Sequence, residues 1–595
     1  MNTAPQTQQH NGDLSGAAWY RRPDFWFWLI AACGLLFRLE YLREFSLLPH
    51  FDMAIGPDVQ DYYDRAQEIL SGKIFPASPD IHAPLYSTFL AALLRLTGNS
   101  VAWVRAIQLL LNYAAWLWLC RILRNAGANM RVILIFLSLA MFTPVLLFHQ
   151  SELISESLLI PLLAGAIYFL YNADSNKNPD RQHFSAGLCC GLAILTHGFM
   201  WAFAAAEAGY HLYMRQWKAA AMILCGVAVM TVPVILAKSI YYERFTTLQQ
   251  NSAFNIWLGN NPAADGGCYL RPGSAWESEH RTAEAEAAAR KISIDRLYWE
   301  RMGKFYLSTP GALLRLPLKK LWKLLLPVEF ISGADSPAMI YKTPLQYYLR
   351  GVAVIPSILV LAGIVMLIYK RGEKKYIHFY LLPAALALAQ ILTVTSGRYR
   401  VPLMPGALLL AAATAATLNK KQLFTGTVAA LALAVFSLPT PPRLDPEERS
   451  IMGEVYFRQG KFDLADPALE FASRHIDDPT RFANMRGIIA EKRGNISLAK
   501  SFYLQARSPY NPQGHFNCGL LLSNDTSVND LLLANAMLVE GLKITPDRPD
   551  IWNQIGINFV KLNNLKLAEA AFARAVELSP AHPGYRKNLN FTRSR

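Results

Sequence analysis

The sequence predicts an all-α protein in two parts: a polytopic membrane domain of about eleven transmembrane helices, followed by a water-soluble α-solenoid. Three observations carry this. Of the 595 residues 53% are hydrophobic and only 17% are charged, too apolar a balance for one soluble domain. The apolar residues gather into bilayer-length runs between residue 23 and about 440, whereas the last ~150 residues read as soluble helical sequence. In that tail Pro512, Pro546 and Pro580 are spaced by 34 residues.

A spanning helix needs ~20 mostly apolar residues, because lipid cannot satisfy open backbone groups. The runs that qualify are 24–43, 101–120, 132–148, 152–171, 184–212, 219–237, 346–369, 377–395, 402–418 and 422–439. The run 184–212 is broken at Thr196-His197-Gly198 and is read as two short helices. Taken as alternating crossings, the basic loops at 21–22, 121–131, 177–181, 215–218, 370–375 and 420–421 all fall on the cytoplasmic side. Residues 1–22, polar and without a cleavable signal pattern, form a cytoplasmic tail. The membrane domain is 23–440, with extracytoplasmic loops at 44–100 and 238–345, and 441–595 is extracytoplasmic. Such a layout suits a bacterial inner membrane with the C-terminal part in the periplasm.

Many of the basic residues behind the formal net charge of +15 lie in short loops between apolar runs, and no basic, aromatic-interleaved patch points to nucleic acid. The seven cysteines show no CxxC spacing and read as packing residues, not as a disulfide framework or metal site.

In the tail, "IWNQIGINFVKLNNLKLAEAAFARAVELSP" places Trp552, Gly556, Phe559, Ala568, Phe572, Ala575 and Pro580 in the tetratricopeptide pattern. Fainter copies lie near 449–480, 482–512 and 515–546. The small residues let paired helices approach, and the prolines end each second helix. Solenoids of this kind offer a concave surface to a peptide or protein; the alternative is a scaffold or dimerising element, and neither role is catalytic.

Three charged stretches face the outer side. In "GPDVQDYYDRAQEIL", Asp58 either caps the following helix or is a functional carboxylate, while Asp61, Asp64 and Glu68 read as a solvated face. In "HQSELISESLLIPLL", Glu152 and Glu156 stand one turn apart where a membrane helix begins. A carboxylate there is costly unless it faces protein or water, and interfacial solvation explains Glu152 more readily than Glu156. In "TSGRYRVPLMP", Arg398 and Arg400 lie at the outer face against the positive-inside trend. Arginine forks suit phosphate; the other readings are lipid headgroups, or pairing with Glu152 or Glu156. Lys238 is a further cation of this kind. Carboxylates and cations on one face are what a group transferase with a lipid-phosphate donor needs.

At these residues the chain resembles the polytopic glycosyltransferases of GT-C fold, and more narrowly the bacterial protein-mannosyltransferase-like and aminoarabinose-transferase-like group. The resemblance runs over about 25–415, from Asp58, Tyr62, Ala66, Ile69 and Gly72 through "HAPLYSTFLAALLRLTG", "VRAIQLLLN", "SELISESL", "GLAILTHGF" and "NIWLGNNPAADGG" to "GRYRVPLMP". It implies a polyprenyl-phosphate-linked sugar donor and transfer to an acceptor outside the membrane, with Asp58 as the catalytic base. Glu156, with Glu152, becomes the second acidic site, and Arg398 and Arg400 flank the lipid phosphate. Tyr62, His82, His197, Asn260 and Asn261 are candidate substrate contacts. His197 reads rather more readily as a helix break, and turn formation alone would explain Asn260 and Asn261. Where the family often carries two adjacent acids, Val59 follows Asp58 here; a lone carboxylate is a poor ion site, so a divalent metal is left open and is not required. The competing readings are an O-oligosaccharyltransferase or O-antigen-ligase type enzyme, a transporter, and a membrane-anchored assembly scaffold working through its repeats. No internal symmetry of the transporter kind is visible in 24–440.

Overall fold

The computed structural model describes residues 23–76, 81–173, 178–249, 252–267, 274–325, 343–345, 376–417, 446–475, 479–508 and 512–594, and all regular structure among them is helical. The chain forms two compact units: residues 1–269 with 299–441, and residues 270–298 with 442–595. Residues 270–298, read above as part of the outer loop, thus belong to the second unit.

The first helices are α1 (Pro23–Ser46), α2 (Pro57–Leu70), α3 (Pro84–Leu96), α4 (Val101–Asn125), α5 (Met130–Phe142), α6 (Pro144–Ser151) and α7 (Glu156–Ala173). They are followed by α8 (Pro179–Thr196), a 3₁₀ turn Gly198–Met200, α9 (Trp201–Tyr213), α10 (Trp217–Tyr241), α11 (Ser252–Gly259), α12 (Ser274–Ala289), α13 (Ile294–Ser308) and α14 (Ala312–Leu325). Then come α15 (Ile377–Leu392), the 3₁₀ segment Arg398–Leu403 and α16 (Met404–Thr417). Proline opens α2, α3, α6 and α8, where its fixed φ suits the first turn and its missing N–H costs nothing.

Among the described residues, five helices are long and apolar enough to cross a membrane: α1, α4, α7, α10 and the stretch Arg398–Thr417. A sixth arises if α5 and α6 count as one span bent by 60°. The bend falls at Pro144, which cannot extend the hydrogen-bond ladder of α5. This is fewer than the eleven crossings expected. At 184–212 the run is broken after Thr196, as its sequence suggested, but α8 starts on the polar stretch "PDRQH" and α9 has only 13 residues. The run at 377–395 yields a 16-residue helix. The runs at 346–369 and 422–439 lie outside the described residues.

The largest core joins Trp116, Phe136, Leu163, Ile194, Phe203 and Leu408 from six helices. Backbones meet where side chains vanish: a Cβ on Gly187 of α8 would collide with the Ile223 carbonyl of α10, and one on Gly226 with the Phe184 carbonyl. A second cluster, with Val59, Tyr62, Ala66, Tyr86, Leu90 and Leu153, binds α2 to α3, α4 and the start of α7. It buries the apolar stripe of α2 and so sets where Asp58 points.

In the second unit the helices pair as the repeat pattern demands: α17 (Pro446–Arg458) with α18 (Phe462–His475), α19 (Pro479–Lys492) with α20 (Ile496–Gln505), α21 (Gln513–Leu522) with α22 (Val528–Ile544), and α23 (Pro549–Lys561) with α24 (Leu565–Leu578). The helix α25 (Pro583–Arg593) packs on α24 and closes the row. Gly453, Gly487 and Gly556 each face a large side chain of the paired helix (Leu469, Tyr503 and Phe572), which leaves no room for a Cβ.

Candidate functional site

Gly56 is the N-cap of α2, with φ of 109° that favours glycine, and no side chain caps the helix. The capping reading of Asp58 is thereby corrected: it occupies the second helical position, and its carboxylate is used elsewhere. Arg398, in the 3₁₀ segment, donates from Nη1 to Asp58 Oδ2. The same guanidinium places Nε 3.5 Å from Oε1 of Glu156, the first residue of α7. One arginine is therefore shared by two carboxylates that are almost a hundred residues apart in sequence. Glu156 is 1% exposed, whereas the Asp58 side chain keeps 17% of its surface open.

His82 stands on the open side of Asp58, with Nε2 3.9 Å from Asp58 Oδ1 and 3.3 Å from Asp61 Oδ2. Its ring stacks on Tyr62 at 4.5 Å, and Tyr62 meets Tyr86 edge-on at 4.8 Å. Asp61 is thus a neighbour of the site and not simply part of a solvated face; Arg65 with Glu68 and Gln60 with Asp64 do pair along the surface of α2. Burial pushes the Asp58 carboxyl up, but the charge of Arg398, aided by His82 and His197, outweighs it and holds Asp58 below the ordinary aspartate value. Burial drives the Tyr62 hydroxyl well above its usual range, and Glu156 adds to this.

On the inner side, His197 ends α8 as its C-cap, and its Nδ1 accepts from the Phe199 amide at 3.4 Å. Its ring lies against Phe199 and Tyr399, with centroids 5.2 and 5.1 Å away. It thus acts as a helix break and also faces the site. A cavity of about 10 Å³, close to the space one water needs, is lined by Glu156, His197, Phe199, Gln390 and Tyr399.

The other candidates lie differently. Glu152 is not solvated at an interface, nor on the helix that Glu156 begins: it is buried, with Oε2 2.5 Å from Arg105 Nη1. Arg105 also donates to the carbonyls of Phe51 and Met53 at 3.0 and 3.1 Å, tying the segment between α1 and α2 to α4. Arg105 escaped the sequence reading, although a charge near the start of an apolar run was the signal for it. Arg400 is buried, with Nε donating to the Gly397 carbonyl at 3.3 Å. Lys238, also buried, donates to the Leu248 carbonyl at 3.0 Å.

Asn260 donates to the carbonyls of Ile256, Leu392 and Thr393 and accepts from Tyr306 and Lys320. Asn261 donates to Trp257 and Leu258 and accepts from Ala263. Both amides are committed to holding the chain. Among the described residues no group of three or more His, Cys, Asp or Glu side chains is placed to hold a metal ion. Asp58 and Glu156 do not fit one as arranged, because Arg398 occupies the space between them.

The family model described as tetratricopeptide repeat matches residues 549–582, so the tail carries at least one repeat of that family. No curated protein matches the chain. Two solved structures are similar at 12% identity: the Cut9-Hcn1 hetero-tetramer of APC/C, covering 92% of this chain and 98% of that one with TM-score 0.23, and yeast Tom70, covering 72% and 95% with TM-score 0.19. Scores this low carry no statement about fold.

Proposed function

We propose that the chain is a membrane glycosyltransferase that moves a sugar from a polyprenyl-phosphate donor to an acceptor on the extracytoplasmic face, and that its repeats engage a protein partner or acceptor. The observation that carries the first part is the sharing of Arg398 between Asp58 and Glu156. Three groups from distant parts of the sequence meet at a partly open site, and the set is chemically apt. In the resting state the guanidinium keeps Asp58 ionised and weakly basic. An incoming phosphodiester is a better match for the arginine fork and draws it from Asp58. The carboxylate then loses its counter-charge, its basicity rises, and it takes the proton of an acceptor hydroxyl or amine as that group attacks the anomeric carbon. The C–O bond to phosphate breaks, and polyprenyl phosphate leaves against Arg398. Glu156 holds the arginine throughout. The tetratricopeptide match supports the second part, since such repeats present a binding surface.

A second reading, a non-enzymatic membrane scaffold acting through its repeats, rests on the same match. One experiment separates the two. Purified protein and its Asp58→Asn variant are given a panel of labelled polyprenyl-phosphate sugars, with a membrane extract as acceptor source, and release of polyprenyl phosphate is followed. The transferase reading expects release that falls by ~10²–10⁴ in the variant. Well-folded protein that releases nothing from any donor, diphosphate-linked oligosaccharides included, leaves the scaffold.

A further inference from the structure

The helix α14, "ALLRLPLKKLWKLL", is inside out for a water-facing helix. Leu314, Leu318 and Trp322 fall on one stripe at four-residue spacing and are 68%, 55% and 66% exposed, and Leu321 widens the stripe. On the opposite stripe Ala312, Leu316 and Lys320 are buried. The lysine points inward, with Nζ 2.6 Å from the Thr393 carbonyl and 2.9 Å from Asn260 Oδ1. A helix that turns its lysine to protein and its leucines and tryptophan outward is not built to face water.

Its neighbourhood says what lies outside. The helix packs on α15, read as part of the membrane domain, whose own Leu388 and Leu392 are likewise exposed. Arg315 and Lys319 are exposed beside the stripe, Lys323 sits 2.7 Å from Asp265, and the helix has no acidic residue. Apolar outward face, flanking cations and an interfacial Trp are the marks of a helix lying in the surface of a bilayer, where cations reach the phosphates of anionic lipids.

We propose that α14 is an interfacial helix, with Leu314, Leu318, Leu321 and Trp322 in the acyl-chain boundary and Arg315 and Lys319 at the phosphates of an anionic lipid surface. The inference rests on the membrane reading of the chain, but not on its chemistry. Through Lys320 the lipid surface would hold Thr393, five residues before Arg398, so the bilayer braces one wall of the site.

The test uses full-length protein in lipid nanodiscs, with exposed native cysteines replaced and a single NBD label at Leu318→Cys or Trp322→Cys. A label at Leu236→Cys on α10 reports the membrane domain, and one at Leu567→Cys reports water. Both α14 labels are expected to be quenched about twofold by lipids carrying a doxyl group near the headgroup, and not by aqueous iodide. The quenching should be weaker in phosphatidylcholine than in phosphatidylglycerol discs, and Arg315→Glu with Lys319→Glu should erase that difference. Iodide quenching would place the stripe in water, and quenching by neither agent would mean that protein covers it; either overturns the proposal. If the Leu236→Cys label also escapes doxyl lipids, the membrane reading itself has failed, a result distinct from failure of α14 alone.

Discussion

Arg398 and Asp58, 340 residues apart, form an ion pair in which the guanidinium Nη1 donates to Oδ2. The pairing decides the protonation of the site. Because the Asp58 carboxyl is held below its ordinary value of 3.8, the pair's contribution to stability is fully present above pH 3.8 and is lost as pH falls through the lower, folded value. At neutral pH the Asp58–Arg398 pair is therefore ionised and intact.

Replacing Arg398 by Gln removes the group that opposes burial, so the Asp58 carboxyl should rise above 3.8. The acid limb of kcat/KM against pH, which reports the free enzyme in which Arg398 still sits on Asp58, should move upward with it, on top of a loss of ~10²–10³ in rate from the missing phosphate contact. Arg398→Lys should return the limb towards its original position. A limb that stays where it was in Arg398→Gln would show that Asp58 is not the base.

The buried pair of Arg105 and Glu152 makes a prediction about stability instead of chemistry. Removing either partner alone leaves a charge without its counter-ion in the protein interior, which typically costs ~3–5 kcal/mol. Arg105→Met and Glu152→Gln should each lower the melting temperature in detergent markedly. The double variant should recover a large part of the loss, because no lone charge remains. Equal and additive losses in a double-mutant cycle would mean the two side chains act independently.

Much of this site was legible in the residues, but not its wiring. Asp58, Glu156 and Arg398 were each singled out by sign and position: a carboxylate after the first apolar run, one at a membrane entry, and an arginine on the side where cations are scarce. Pairing of an arginine with Glu156 was among the readings; its sharing with Asp58 was not, since nothing local links residues 340 apart. Nor does "RYR" say which arginine faces the acids. That depends on the backbone being 3₁₀, where residues two apart diverge, and Arg400 accordingly turns to the Gly397 carbonyl. Glu152 was misread because its neutraliser, Arg105, sits on an apolar helix whose hydropathy hides it. Among the described residues, too, the expected crossings exceed the qualifying helices, for a related reason. Run length counts apolar residues but cannot see where Pro144 bends a span or where α8 begins on polar sequence. The repeats were the most legible part, because glycine and alanine at fixed offsets are direct records of close helix contact.

Lys320 offers a second pH dependence, of opposite origin. Burial lowers its ammonium from 10.5 to about 8. Between those values the unfolded chain holds a proton that the folded chain has released, so stability rises with pH across the window, by at most about 1.4 kcal/mol per pH unit. Tyr306, which shares Asn260 with Lys320 and is held above its ordinary 10.0, acts in the reverse sense above that pH. The melting temperature of the wild type relative to Lys320→Met should therefore climb from pH 8 to pH 10. A flat difference would mean that Lys320 is protonated throughout.

The repeats belong to a different compact unit from Asp58, Glu156 and Arg398, so a variant in them asks whether binding and chemistry separate. A Cβ on Gly556 would stand 2.5 Å from Cε1 of Phe572, so Gly556→Val overpacks the α23–α24 pair, at a cost of ~1–3 kcal/mol. Limited proteolysis should then cut within 549–578 at protease levels the wild type resists. If the repeats present the acceptor, the variant should keep wild-type release of polyprenyl phosphate with a small soluble acceptor and lose it with the membrane extract. Loss with both acceptors would show that the repeats are needed for the catalytic unit itself. Full activity with both, in a variant whose repeats are demonstrably opened, would show that the solenoid serves a partner outside the reaction.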